Sequence, residues 1–130
     1  MKKVFFKKLV RDNIPAFLES QECIVHKTIL SDEAFDRALR EKLVEECNEV
    51  QLAGSKDALI EELADVQEVI DALISLHAIQ KSAIKEAQIK KQKSKGSFEE
   101  RFFISEINFE DENPIALYYQ KNSEKYEIQE

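Results

Sequence analysis

Between Lys42 and Asp71 the sequence carries two amphipathic helical patterns that meet at Gly54, and both place carboxylates inside their apolar stripes. At about 100° per residue, Phe35, Leu39, Leu43, Val50 and Ala53 define the apolar stripe of the first helix. Glu46 falls in the middle of that stripe and Glu49 at its edge. In the second helix Leu59, Leu63, Val66, Ile70 and Leu73 form the stripe, which widens on one flank through Val69, Ala72 and Leu76. Glu62 and Asp65 lie within that widened sector. Burying a lone carboxylate costs several kcal/mol even after relaxation. Two such charges ~5 Å apart at an effective dielectric of ~20 repel by about 3 kcal/mol. Each pair is spaced i,i+3 and therefore neighbours on one helix surface. A short turn at Gly54 makes the two helices antiparallel neighbours. Four converging acids need a counter-charge. A divalent cation with hard oxygen ligands supplies one, and buried ion pairs to Lys or Arg are the alternative. Glu45, Glu61, Glu68 and Asp71 fall on the far sides of their helices and read as a solvated face.

The rest of the pattern is mostly helical. Ser31 or Asp32 caps the first long helix, which runs to about Ala53. Ser55 to Asp57 restart the chain into the second, to about Ala78. A third, heavily basic helix covers roughly residues 80 to 94, and Arg11-Asp12-Asn13 precede a short helix with Pro15 in its first turn. Residues 3 to 10 and 23 to 30 are apolar and read as strand or extended chain. Residues 101 to 109 and 115 to 119 read as the two arms of a C-terminal β-hairpin about a turn at 110 to 114. His26 and His77 read as structural, His77 as a core histidine on the apolar stripe. Cys23 and Cys47 read as reduced core thiols.

Composition narrows the classes. In a chain of 130 residues, one ordinary domain in size, a net charge of −7 argues against a general nucleic-acid binder. No apolar run approaches the ~20 residues of a membrane span, and the N-terminus lacks a signal-peptide core. A cytoplasmic protein without a membrane partner is expected. Cations cluster at Lys2, Lys3, Lys7, Lys8 and Arg11, and again from Lys81 to Lys95. Lys8 and Arg11 are placed to serve as charge-assisted donors to phosphate.

The residues Glu45-Glu46-Cys47-Asn48-Glu49, followed by Glu62-Leu63-Ala64-Asp65, match an EExxE, spacer, ExxD signature. With it, the chain resembles the MazG-like all-α NTP pyrophosphatases, in particular the small branch related to phosphoribosyl-ATP pyrophosphohydrolase. That branch opens with a KLVRDKIP-type segment, matched here by Lys8-Leu9-Val10-Arg11-Asp12-Asn13-Ile14-Pro15. It closes with a basic helix running into RGGF, where this chain has Lys95-Gly96-Ser97-Phe98. The resemblance spans about residues 7 to 104, with 105 to 130 as an extension of one MazG-like domain. Asn13 for Lys, Lys95 for Arg and Ser97 for Gly are the departures, and they weaken the phosphate-binding assignments more than the ligand set.

The resemblance implies an all-α antiparallel helical bundle completed by oligomerisation. Its implied activity is Mg²⁺-dependent cleavage of a nucleoside triphosphate between the α- and β-phosphates, giving monophosphate and pyrophosphate in nucleotide house-cleaning. Glu46, Glu49, Glu62 and Asp65 would hold Mg²⁺ or Mn²⁺, with no His or Cys to favour zinc. Glu45, Glu46 and Glu49 are the catalytic candidates, Glu45 either orienting water or only supporting its helix. Lys8, Arg11, Lys91 and Lys95 are the phosphate-binding candidates. Phosphoribosyl-ATP hydrolysis is the alternative within enzymes, and a non-catalytic helical nucleotide-binding or interaction protein is the alternative outside them. Three helices with one wide apolar arc cannot cover the second long helix on every side. Val69, Ala72 and Leu76 are expected to be covered by a homodimer or homotetramer.

Overall fold

In a computed structural model that describes residues 1–129, the chain is all-helical, with five helices and no strand among the described residues. They are α1 (Ile14–Ser20), α2 (Asp32–Leu52), α3 (Lys56–Leu76), α4 (Lys81–Lys95) and α5 (Ile115–Lys121). The chain divides into two compact units, residues 1–90 and 91–130, and α4 carries it from one to the other. No helix among the described residues is long and apolar enough to cross a membrane.

The first unit is built on the α2–α3 hairpin. The hydroxyl of Ser31 accepts the Ala34 amide at 3.3 Å and that of Ser55 accepts the Ala58 amide at 3.1 Å, so serine caps open both long helices. Asp32 and Glu33 in the first turn of α2 and Asp57 in that of α3 complement the positive helix ends. The helices run antiparallel: Asp36 near the start of α2 meets His77 just past the end of α3, and Glu46 meets Glu62 and Asp65 further along. α3 ends in a Schellman arrangement, the amides of Ala78 and Ile79 returning to the carbonyls of Ser75 and Ile74. Ala78 takes the left-handed position at φ 51°.

The buried apolar side chains among the described residues are Leu39 of α2 and Val69 of α3. Val69 was expected on the uncovered flank, and the structure reverses that assignment. α3 turns its flank toward α2, burying Val69 and leaving Ala72 and Leu76 half-buried. It leaves Leu59, Ile60 and Leu63 exposed instead, at 38, 56 and 49%. The rotation goes with an ion pair: it sets Asp65 at the Arg11 guanidinium, Nη2 to Oδ1 at 2.6 Å.

Other expectations are corrected as well. The segment at residues 3–10 is not a strand, because Lys7 adopts φ 48° and breaks the extended run. Residues 23–30 form no strand, which leaves the connecting-segment alternative of that expectation. His77 is an exposed C-cap rather than a core residue, and Cys23 and Cys47 are free and exposed rather than core thiols.

Among its described residues the second unit contains no β-hairpin. Residues 101–109 form no strand, and the expected return arm is α5. Pro114, with φ −55° and ψ −25°, sets the chain in the helical region, and the Asn113 side chain accepts the Ile115 amide at 3.0 Å. Ala116, Tyr119 and Asn122 are the half-buried positions, a helical spacing. Tyr119 gathers the local aromatics, stacking on Phe109 at 6.2 Å and meeting Tyr118 and Tyr126 edge-on at 5.1 and 4.9 Å. Phe102 and Phe103 stand exposed.

Candidate metal and phosphate site

Three of the four acids singled out by helical spacing converge. Carboxylate oxygens of Glu46, Glu62 and Asp65 lie within 4.8 Å of one another, and all three residues are half-buried. Glu46 comes from the middle of α2, and Glu62 and Asp65 from one face of α3 at i,i+3. Glu49, one turn beyond Glu46, is exposed and stands outside this trio.

Cations from two places meet the acids. Arg11, just before α1, donates from Nη2 to Asp65 Oδ1 at 2.6 Å. Lys8 donates to Glu45 Oε1 at 2.9 Å. Lys42 sits 3.3 Å from both Glu45 Oε2 and Glu46 Oε1. A cleft of about 270 Å³ opens here, lined by Phe6, Val10, Arg11, Ile14, Lys42, Glu46 and Asp65. The N-terminal segment thus closes one side of the site with apolar side chains while its cations reach the acids.

Electrostatics divides the acids into two kinds. The hydrogen bond from Lys8 holds Glu45 below the ordinary carboxylate value, with Lys42 adding to it. Lys8 itself is raised, chiefly by the hydrogen bond to Glu45 and its charge. Glu62 behaves in the opposite way. Partial desolvation and the charges of Asp65, Glu49, Glu46 and Glu61 raise it above the ordinary value, and it forms no ion pair among the described residues. Lys8, Arg11 and Lys42 set against Glu45, Glu46, Glu49, Glu62 and Asp65 leave an acidic surplus, and Glu62 bears it.

The sequence-based site residues therefore fall into three groups. Glu46, Glu62 and Asp65 come together, with Lys8, Arg11 and Glu45 around them. Glu49 adds its charge from the edge. Lys91 and Lys95 lie in the second unit and are exposed. Lys42 was missed, although its i,i+3 and i,i+4 spacing to Glu45 and Glu46 is the ordinary helical ion-pair signal.

Comparison of the chain with models of known protein families, with curated proteins and with solved structures finds no match.

Proposed function

We propose that this chain is a Mg²⁺- or Mn²⁺-dependent nucleoside triphosphate pyrophosphohydrolase of the MazG-like type, acting as a homodimer or homotetramer. The observation that carries the reading is the convergence of Glu46, Glu62 and Asp65 across two helices, within 4.8 Å and half-buried. The donor set fits a hard divalent ion: all the ligand atoms are carboxylate oxygens, and Glu62 is a carboxylate in need of positive charge. Glu46, Glu62 and Asp65 would hold the ion, with Glu49 beside them. When bound, it would neutralise charge on the phosphates and lower the pKa of a coordinated water.

The chain's own groups supply the rest. In the proposed reaction a water oxygen bonds to the α-phosphorus, the bond to the α–β bridging oxygen breaks, and pyrophosphate leaves, as the family resemblance implies. Phosphoryl chemistry of this kind is mainly positioning and charge neutralisation. Lys8 and Arg11 now neutralise Glu45 and Asp65; as exposed cations at the mouth of the site they are suited to exchange those partners for phosphate oxygens. Glu45, fixed between Lys8 and Lys42 and held ionised, is placed to orient a water as a hydrogen-bond acceptor or only to support its helix. Phe6, Val10 and Ile14 limit water on one side.

A second reading has a specific observation behind it. Arg11 and Lys42 already pair with Asp65 and Glu46, which is how a non-catalytic helical protein would satisfy partly buried acids. The deciding experiment measures pyrophosphate release from a panel of ribo- and deoxyribonucleoside triphosphates and phosphoribosyl-ATP, with Mg²⁺ or Mn²⁺. Wild type is compared with Glu46→Gln and Asp65→Asn. Monophosphate plus pyrophosphate from wild type, lost in both folded variants, supports the hydrolase. No turnover with any substrate, together with a melting temperature indifferent to either metal, selects the ion-paired alternative.

A further inference from the structure

The cleft beside Arg11 and Asp65 is lined by two kinds of side chain. Phe6, Val10 and Ile14 are apolar, and Arg11, Lys42 and Asp65 are charged. At about 270 Å³ the cleft is smaller than the ~300–1,000 Å³ of pockets that enclose a whole drug-sized ligand. It has room for a flat ring, and a polyanion joined to that ring would lie along the charged side chains. Phosphate binding uses only the charged part of this lining. The apolar part has so far been given no role beyond limiting water.

Phe6 is the side chain that gives it one. Phe6 lines the cleft yet stays 45% exposed, and it enters no aromatic or cation–π pair among the described residues. Its neighbour Phe5 differs, because Lys7 Nζ lies 5.6 Å from the Phe5 ring centroid, a cation–π contact. Between Phe6 and Lys8 the chain turns sharply. Lys7 adopts φ 48°, a left-handed conformation with a steric cost for any residue that has a Cβ. On one side of the turn Phe6 enters the cleft, and on the other Lys8 reaches Glu45 at 2.9 Å. One strained residue thus sets both an aromatic ring and a phosphate-binding candidate at the site. Strain of this kind persists where the surroundings over-determine it, and it gathers at ligand clamps.

We propose that Phe6 stacks the base of the bound nucleotide, with Val10 and Ile14 at the edge of the ring and Arg11 toward the phosphates. The proposal rests on reading Glu46, Glu62 and Asp65 as a triphosphate site, and it adds a base contact from the N-terminal segment. The charge pattern selects the occupant. Inorganic polyphosphate would satisfy the cations and leave the apolar lining wet, and an apolar ligand would leave the cations unused. A nucleotide has both ends. Stacking on one aromatic side chain strengthens binding roughly 5- to 150-fold per base, and this is the margin a nucleotide should hold over its phosphate chain alone.

The test reads binding rather than turnover, in the full-length protein with Mg²⁺. Adenosine 5′-(α,β-methylene)triphosphate, which resists cleavage at the proposed bond, is compared with inorganic tripolyphosphate by titration calorimetry. Wild type is expected to bind the nucleotide at least about fivefold more tightly. Phe6→Ala is expected to lose that margin while holding tripolyphosphate within about twofold of wild type. Phe6→Trp places an indole in a chain with no tryptophan of its own, and its emission should be quenched by the nucleotide and unchanged by tripolyphosphate. Equal affinity of wild type for the two ligands overturns the base contact and leaves the triphosphate site standing. So does a Phe6→Ala variant that keeps the margin or weakens both ligands alike, or a Phe6→Trp emission that does not tell them apart. Binding of neither ligand overturns the base contact and the triphosphate site together. Should Phe6→Ala lose its helical circular dichroism, Phe6→Trp alone decides.

Discussion

Arg11 Nη2 donates to Asp65 Oδ1 across 2.6 Å although 54 residues separate them in sequence. This bond ties the segment before α1 to the acidic face of α3, and it joins a residue proposed to bind phosphate to one proposed to bind a cation. The two roles compete. While Arg11 neutralises Asp65, the acidic cluster attracts an ion less strongly, and release of Arg11 to a phosphate frees the carboxylate.

Removing that guanidinium therefore has opposite effects on the two ligands. The pair is more than a third exposed on both sides, so Arg11→Met should cost less than about 1 kcal/mol of stability. The rise in melting temperature produced by saturating Mn²⁺ should be larger in Arg11→Met than in wild type, while the KM for a hydrolysed triphosphate should increase. Thermal melts with and without metal, together with steady-state kinetics, check both directions. A smaller metal shift in the variant would separate Arg11 from the acidic cluster.

Glu62 gives a pH-dependent version of the same argument. Desolvation and the neighbouring acids raise its folded-state value above the ordinary 4.5, so between those two values the folded chain binds more protons than the unfolded one. Its contribution to stability is fully present below the ordinary value and is lost as pH rises through the raised one. Glu62→Gln removes that loss. Without metal, the variant should be more stable than wild type at neutral pH, with the advantage shrinking below pH ~4.5. With Mn²⁺ the order should invert, because the variant loses a ligand. Urea denaturation from pH 4 to 8, with chelator or metal, tests it. A wild type more stable than the variant under chelator would mean that Glu62 has a favourable partner.

The sequence carried the long elements and the trio of acids, and the reasons are local. Ser31 and Ser55 announce two helix starts, and i,i+3 spacing fixes Glu62 beside Asp65 whatever the tertiary fold. What was not legible depended on rotation and partners. Burial of Val69 in place of Leu63 goes with Arg11, a residue from another segment, pairing with Asp65. His77 appears apolar-facing by periodicity, yet its position past the last turn of α3 lets it swing to Asp36. Residues 115 to 119 read as a strand because β-branched and aromatic residues are compatible with either state in short runs. The Asn113-Pro114 start signal decided for helix.

The Asp36 contact predicts a loss of stability in acid. Oδ1 of Asp36 meets His77 Nε2 at 2.6 Å, and Oδ2 accepts from Arg40 Nε at 2.9 Å. These bonds, the one with His77 foremost, hold the Asp36 carboxyl below its ordinary 3.8. A lowered carboxyl stabilises the fold above the ordinary value, and that contribution disappears as pH falls through the lowered one. Asp32 and Glu33 line the same cleft, so Asp36 must be tested alone. Asp36→Asn should be less stable than wild type at pH 5 and nearly equal to it at pH 2.5, measured by denaturant titration. A gap unchanged between those pH values would remove Asp36 from the clamp that joins the start of α2 to the end of α3.

Ala78 offers a stabilising change that leaves the candidate site untouched. It occupies φ 51° immediately after the His77 cap, where the Cβ of an L-residue costs about 1 kcal/mol and glycine costs nothing sterically. The Schellman hydrogen bonds from Ala78 and Ile79 use only backbone and would persist in glycine. Greater freedom of glycine in the unfolded chain offsets part of the gain. Ala78→Gly should therefore raise stability by about 0.5 kcal/mol, seen as a higher denaturation midpoint at unchanged slope. Ala72→Gly, inside α3, should lower it by about 1 kcal/mol. If both glycines destabilised equally, the left-handed turn at Ala78 would not be the conformation that ends α3 in solution, and the register in which His77 reaches Asp36 would have to differ.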